Sequence, residues 1–88
     1  VYKRQPEEVT LRAYGSFADY LRKHPFHHSQ VERNDMGTFT SFDYTLLVTD
    51  ELVDEILALG DKVEITFPEK LRMKLLQKIG RIRNRYVI

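Results

Sequence analysis

In the stretch FTSFDYTLLV, Thr40, Phe42, Tyr44, Leu46 and Val48 alternate with mostly polar neighbours, the period of two expected of a strand with one buried face. Val9, Leu11 and Ala13 alternate in the same way with Thr10, Arg12 and Tyr14, and Val63, Ile65 and Phe67 do so near the other end. Elsewhere the period becomes helical. Leu52, Val53, Ile56 and Leu57 form one apolar stripe, and Leu71, Leu75, Ile79, Ile82 and Tyr86 form a longer one at intervals of 4, 4, 3 and 4.

Turn and cap residues punctuate these runs. Gly15 ends the first strand, and Ser16 is placed to N-cap a short helix over Phe17 to about Lys23, with Asp19 as the carboxylate of a capping-box variant. Pro25 stops that helix, and the chain is expected to continue as a strand through HHSQVER to a turn at NDMG. The strand after Gly37 then pairs back as a hairpin. Thr49 caps the second helix, whose first turn carries Asp50 and Glu51, and Gly60 closes it at C′. Pro68 opens the last helix at N1, and one face of that helix is apolar. The order β-α-β-β-α-β plus a C-terminal helix predicts an α+β domain on the ferredoxin-like plan, an antiparallel sheet covered on one side by helices.

Length and composition narrow this further. With 88 residues there is room for one core, burying roughly 60–65% of the unfolded surface. Apolar residues at 42% can fill it, and 31% charged residues keep the outside wet, so a disordered chain is not expected. No cysteine is present, which removes disulfides and thiolate metal sites. The longest apolar runs fall far short of the ~20 residues a membrane helix needs, and no signal peptide opens the chain, so a cytoplasmic protein without membrane contact is expected. The opening VYKRQPEEV, without methionine, reads as a linker over residues 1–8 from an upstream domain, with the domain itself at 9–88.

Charge is lopsided despite a net +1. Asp50, Glu51, Asp54, Glu55 and Asp61 form an acidic block, whereas from Lys70 onward every charged side chain is basic and no Asp or Glu occurs. Lys70, Lys74, Lys78, Arg81 and Arg85 repeat the spacing of the apolar stripe one residue behind it. Each like pair costs about 0.2–0.5 kcal/mol in an isolated helix, so the ladder needs solvent screening or an opposite charge nearby. Lys74, Lys78, Arg81 and Arg85 are therefore a candidate basic patch.

The three histidines, His24, His27 and His28, lie within RKHPFHHSQ. Neighbours on a strand point to opposite faces, so convergence on one ion is not expected and no metal or cofactor is implied. No phosphate loop or nucleophile elbow is present, and an enzyme is not expected. Acylphosphatases share the plan but carry an arginine in the loop after strand one, where AYGSFADY has none. RNA-recognition modules share it too, yet alignment on Gly37 places Thr38 and Thr40 where their stacking aromatics belong. Arg12, Arg22 and Lys23 with His27, His28, Ser29 and Gln30 are expected to gather near one end of the sheet as an effector or interdomain contact.

Three segments together resemble the WCX domain, the C-terminal extension that follows the WYL domain in bacterial transcription regulators. They are Pro25-Phe26-His27-His28-Ser29-Gln30, the stretch GDKVEITFPEKLR, and the basic helix closing at RNRYVI. Their order and spacing cover nearly the whole chain. Many members place Trp where Glu55 stands. The resemblance implies a regulatory and assembly domain whose helix-turn-helix and WYL domains lie upstream in the same chain, since the residues that give WYL its name are absent here. It implies a homodimer in the full-length protein, DNA contact through the helix-turn-helix, and a nucleic-acid or small-molecule effector. The competing expectation is a stand-alone ferredoxin-like module that binds a small ligand or RNA.

Overall fold

A computed structural model describes residues 5–87. Among them are β1 (Glu7–Tyr14), α1 (Phe17–Lys23), β2 (Val31–Asp35), β3 (Phe39–Leu46), α2 (Asp50–Ala58), β4 (Val63–Phe67) and α3 (Glu69–Tyr86), with a 3₁₀ turn at Gly60–Lys62 leading into β4. The strands form one open sheet in the order β2-β3-β1-β4, every neighbouring pair antiparallel. The class is α+β, as the patterning predicts.

One face of this sheet holds the core. Val9, Leu11 and Ala13 of β1, Phe42, Tyr44 and Leu46 of β3 and Val63 and Ile65 of β4 pack with Ala18 and Leu21 of α1, Leu52, Val53 and Ile56 of α2, and Leu71 and Leu75 of α3. The opposite face is not covered by any described element. There Thr10 donates to Asp43 (2.9 Å), Tyr14 donates to Glu64 (2.6 Å), and Arg12 lies 4.5 Å over the Phe39 ring.

Local signals behave unequally. Thr49 does cap α2, its hydroxyl accepting from the Leu52 N–H (3.1 Å), and Gly60 takes the left-handed conformation (φ 66°) that ends it. The Ser16 capping box does not form. Ser16 has helical dihedrals, not the extended ones of an N-cap, and makes no side-chain cap, while Asp19 accepts from Arg22 one turn on instead of reaching back. Pro68 sits one position earlier than expected, at the N-cap in extended conformation. β1 starts at Glu7, paired with Leu46, so residues 7 and 8 belong to the sheet and not to the linker; residues 1–4 lie outside the described part. Val48 falls beyond the end of β3 but still packs on the core.

Both edge strands carry a β-bulge. In β4, Leu11 pairs with Ile65 but Thr10 pairs with Phe67, so Thr66 is an extra residue. Residues paired across antiparallel strands share a face. Phe67 therefore points to the outer face with Thr10 and is 53% exposed, where simple alternation buries it. In β2, Glu32 pairs with Phe42 and Asn34 with Ser41, leaving Arg33 as the extra residue. That single insertion puts Glu32 and Asp35 on the same, helix-covered side.

The apolar face of the last helix is covered only along its first half. Leu71 is fully buried (0% exposed), yet Ile79 and Ile82 are 48% and 49% exposed and Tyr86 more so. Length explains this: the 18 residues of α3 span about 27 Å, while the five residues of β4 beneath it span about 17 Å. The helix outruns its support. A radius of gyration of 13.8 Å, against roughly 12 Å for a compact chain of this length, carries the same mark.

Candidate effector and interdomain surfaces

His27 to Gln30 form a turn, with Gln30 N–H donating to His27 C=O (3.0 Å), and β2 begins only at Val31. The expected strand through HHSQ is thus replaced by a corner, because the polar side chains of this stretch bond to the backbone that a strand would have used. Gln30 is its centre. Its Oε1 accepts from Phe26 N–H (3.1 Å) and from the Tyr44 hydroxyl (2.6 Å), while its Nε2 donates to Leu21 C=O (2.8 Å). One amide thereby ties the end of α1 to the buried side of β3. Phe26 packs edge-on against Tyr44 at 5.9 Å between ring centres. Burial raises the Tyr44 hydroxyl well above the ordinary tyrosine range.

Ser29 holds the corner to β3 from the other side. Its Oγ accepts from Thr45 N–H (2.9 Å) and lies 2.7 Å from His27 Nδ1, and Ser29 N–H donates to the same nitrogen (3.2 Å). An Nδ1 that accepts leaves the imidazole proton on Nε2. The His27 and His28 rings are tilted against each other at 4.1 Å, so the strand geometry expected to separate them does not apply. His24 instead packs on Tyr20. The hydrogen-bonding groups of Ser29 and Gln30, expected to face a neighbouring domain or a ligand, bond within the domain. His28 and Lys23 remain exposed.

Arg22 is also occupied. Its guanidinium grips Glu32 with two nitrogens (2.8 and 3.1 Å), Asp19 with a third (2.6 Å), and reaches Asp35 (3.5 Å) and the buried Thr40 hydroxyl (3.3 Å). The β2 bulge makes this possible by aligning Glu32 and Asp35. Arg22 holds the Glu32 carboxyl below the usual carboxylate range, and those contacts push the guanidinium still higher. Three carboxylates around one cation leave this spot acidic, the reverse of an anion patch. Arg12 does not join it. Arg12 projects from the outer face, over Phe39 and 4.0 Å from Glu64, so the expected cluster is divided between the two sides of the sheet.

Along α3 the basic ladder meets part of the acidic block. Lys78 pairs with Asp54 of α2 at 2.7 Å, which supplies one of the opposite charges the ladder needs. Lys74 is half-buried, and Arg81 and Arg85 are exposed without an ion pair among the described residues. Beside them lies an apolar groove of about 460 Å³, walled by Ile56 and Leu57 of α2, Val63 and Ile65 of β4, and Leu76, Ile79 and Ile82 of α3, with Asp61, Glu64 and Arg72 at its rim. The groove was not legible in the sequence, since it exists only where α3 overruns the sheet. The outer-face aromatics Tyr14, Phe39 and Phe67 were likewise missed; alignment on Gly37 pointed to Thr38 and Thr40, one position out of step with Phe39.

A family model described as the WCX domain matches residues 5–83. The chain belongs to the WCX domain family. WCX domains are C-terminal domains of WYL-type regulators, so the resemblance carried by the three sequence segments holds at the level of the family. No curated protein matches the chain. In this WCX domain the signature Pro25–Gln30 is the internal joint of α1, β2 and β3 described above. Glu55, where many members carry Trp, edges a shallow hollow formed with Phe26, His27, Leu46 and Leu52. Among the described residues no helix is long and apolar enough to cross a membrane.

Proposed function

We propose that this WCX domain is the regulatory, effector-sensing and assembly domain of a bacterial DNA-binding regulator, acting without catalysis and as part of a cytoplasmic homodimer. The family match over residues 5–83 carries this reading. The fold supports it in one respect: the polar groups most suggestive of chemistry are consumed in holding the domain together, while its open surfaces are an apolar groove and a paired polar face, which suit contact with other domains. We also read the sheet as the ferredoxin-like plan, with β3 placed between β1 and β2.

The reading is tested in the full-length regulator, comparing it with a version lacking residues 5–87. Operator binding is measured with short oligonucleotides and with small-molecule pools as effectors. Basal DNA binding should persist and effector stimulation should disappear. Equal stimulation of both proteins would refute the reading.

A second reading has one observation in its favour. Tyr14, Phe39 and Phe67 on the outer sheet face could stack bases, as in a stand-alone RNA-binding module. The acids Glu8, Asp43 and Glu64 on or beside that face outnumber Arg12 and Arg33, which pair with Glu64 and Asp43, and this opposes attraction to a polyanion.

A further inference from the structure

The apolar groove between α2, β4 and α3 has a floor and a wall of different kinds. Ile56, Ile65 and Leu75 beneath it are buried, whereas Leu76 and Ile79 on its α3 side are half exposed. Its volume of about 460 Å³ lies in the range of sites that hold small molecules.

The rim carries both signs of charge side by side. Arg72 of α3 and Asp61 of the turn before β4 are exposed there, and neither makes an ion pair or a side-chain hydrogen bond among the described residues. Glu64, the third charge on the rim, is engaged on the outer face, accepting from Tyr14 (2.6 Å) and lying 4.0 Å from Arg12. One guanidinium and one carboxylate are therefore left beside an aliphatic surface. An acyl chain with a carboxylate head matches Arg72 but is repelled by Asp61, and an aliphatic amine does the reverse. A peptide segment, neutral along its backbone, covers both charges and satisfies neither. A molecule with an ammonium and a carboxylate on one carbon and an aliphatic side chain matches all three features.

We propose that the groove binds a free aliphatic α-amino acid, such as leucine, with its carboxylate on Arg72, its ammonium on Asp61 and its side chain against Leu76, Ile79 and the buried floor. The planar guanidinium fork suits a carboxylate, and the Asp61 carboxylate accepts from the ammonium. Once seated, the ligand covers the exposed wall and neutralises the rim, so the surface offered to a neighbouring domain changes. The inference rests on the effector-sensing reading for its regulatory meaning and deepens it by naming the class of small molecule.

Proton–nitrogen correlation spectra of the 88-residue chain, titrated with L-leucine, test it. Saturable shifts at Gly60, Asp61, Arg72, Leu76 and Ile79 are expected, with a dissociation constant on the order of 0.1 mM for so small a ligand. Isocaproate lacks the ammonium, isoamylamine lacks the carboxylate and L-serine lacks the aliphatic side chain, and each should bind about tenfold or more weakly. Arg72→Gln should weaken leucine about tenfold while binding isoamylamine no more weakly than the parent chain does. Asp61→Asn should weaken leucine similarly while sparing isocaproate. Both positions are exposed, and unchanged dispersion of the unliganded spectra shows that the variants fold. A leucine titration without saturation below about 10 mM would overturn the proposal. So would analogues that bind as tightly as leucine, or variants that hold leucine unchanged. Because no operator DNA is present, this test can fail while effector stimulation of the full-length regulator survives, and the reverse.

Discussion

The corner at Pro25–Gln30 and the overhanging end of α3 both concentrate functional groups, and the fold uses them in opposite ways. At the corner an amide, a hydroxyl, an imidazole and a phenol are joined to one another and to the backbone, and no buried side-chain polar atom among the described residues lacks a partner. At the end of α3 three arginines make no ion pair among the described residues, and Ile79, Ile82 and Tyr86 leave about half or more of their surface uncovered. The contrast teaches that a polar side chain marks a ligand site only if its bonding capacity is left over after folding. Gln30 has little left, and Arg81 has all of it.

Measured stabilities should reproduce that contrast. The largest effect is expected for Gln30→Ala, which deprives Tyr44 and Phe26 N–H of an acceptor and Leu21 C=O of a donor. Urea denaturation should show a loss of about 3 kcal/mol, the sum expected when partly buried partners are left unsatisfied. A loss below about 1 kcal/mol would mean that water replaces the amide and that the corner is as open as the helix end.

Tyr44→Phe should come next, costing about 1 kcal/mol at neutral pH, since Gln30 Oε1 keeps its bond from Phe26. It should also alter the alkaline limb. The folded-state hydroxyl is raised above the ordinary 10.0, so the unfolded chain ionises first and stability is lost as the pH rises past about 10. Without that hydroxyl the decline should be shallower in melts taken on either side of pH 10.

The smallest effect is expected at the other region. Arg85→Gln should shift the unfolding free energy by no more than about 0.5 kcal/mol, measured dilute enough to keep the chain monomeric. A larger loss would show that the end of α3 is held by its own domain and erase the distinction.

The sheet alternation of β1 and β3, the Thr49 cap, the Gly60 stop and the limits of α1 were readable because each depends on neighbours within a few residues. What escaped depends on registration between distant segments. No local pattern announces that Thr66 bulges and turns Phe67 outward, or that α3 is longer than the strand it lies on. Within the candidate sites, Arg22 and Gln30 are expected from the sequence to meet an effector or another domain, and the structure engages both within the domain. Their partners Glu32, Asp35 and Tyr44 lie 10 to 14 residues away and are brought in by the corner itself. Arg12 lies on the outward face of β1, as strand parity predicts, and the same parity separates it from Arg22 and Lys23, because α1 packs on the opposite side of the sheet.

The bulges in β2 and β4 also bear on solubility. An open four-stranded sheet ends in two rows of unpaired backbone groups, and a straight, regular edge invites a strand from another molecule. Here each outermost strand is five residues long and broken by an inserted residue that increases its twist. β2 adds Glu32, Arg33 and Asp35, all exposed, so a docking strand would have to strip water from charges to align with a ladder that does not run straight. Growth of the sheet is blocked at both borders.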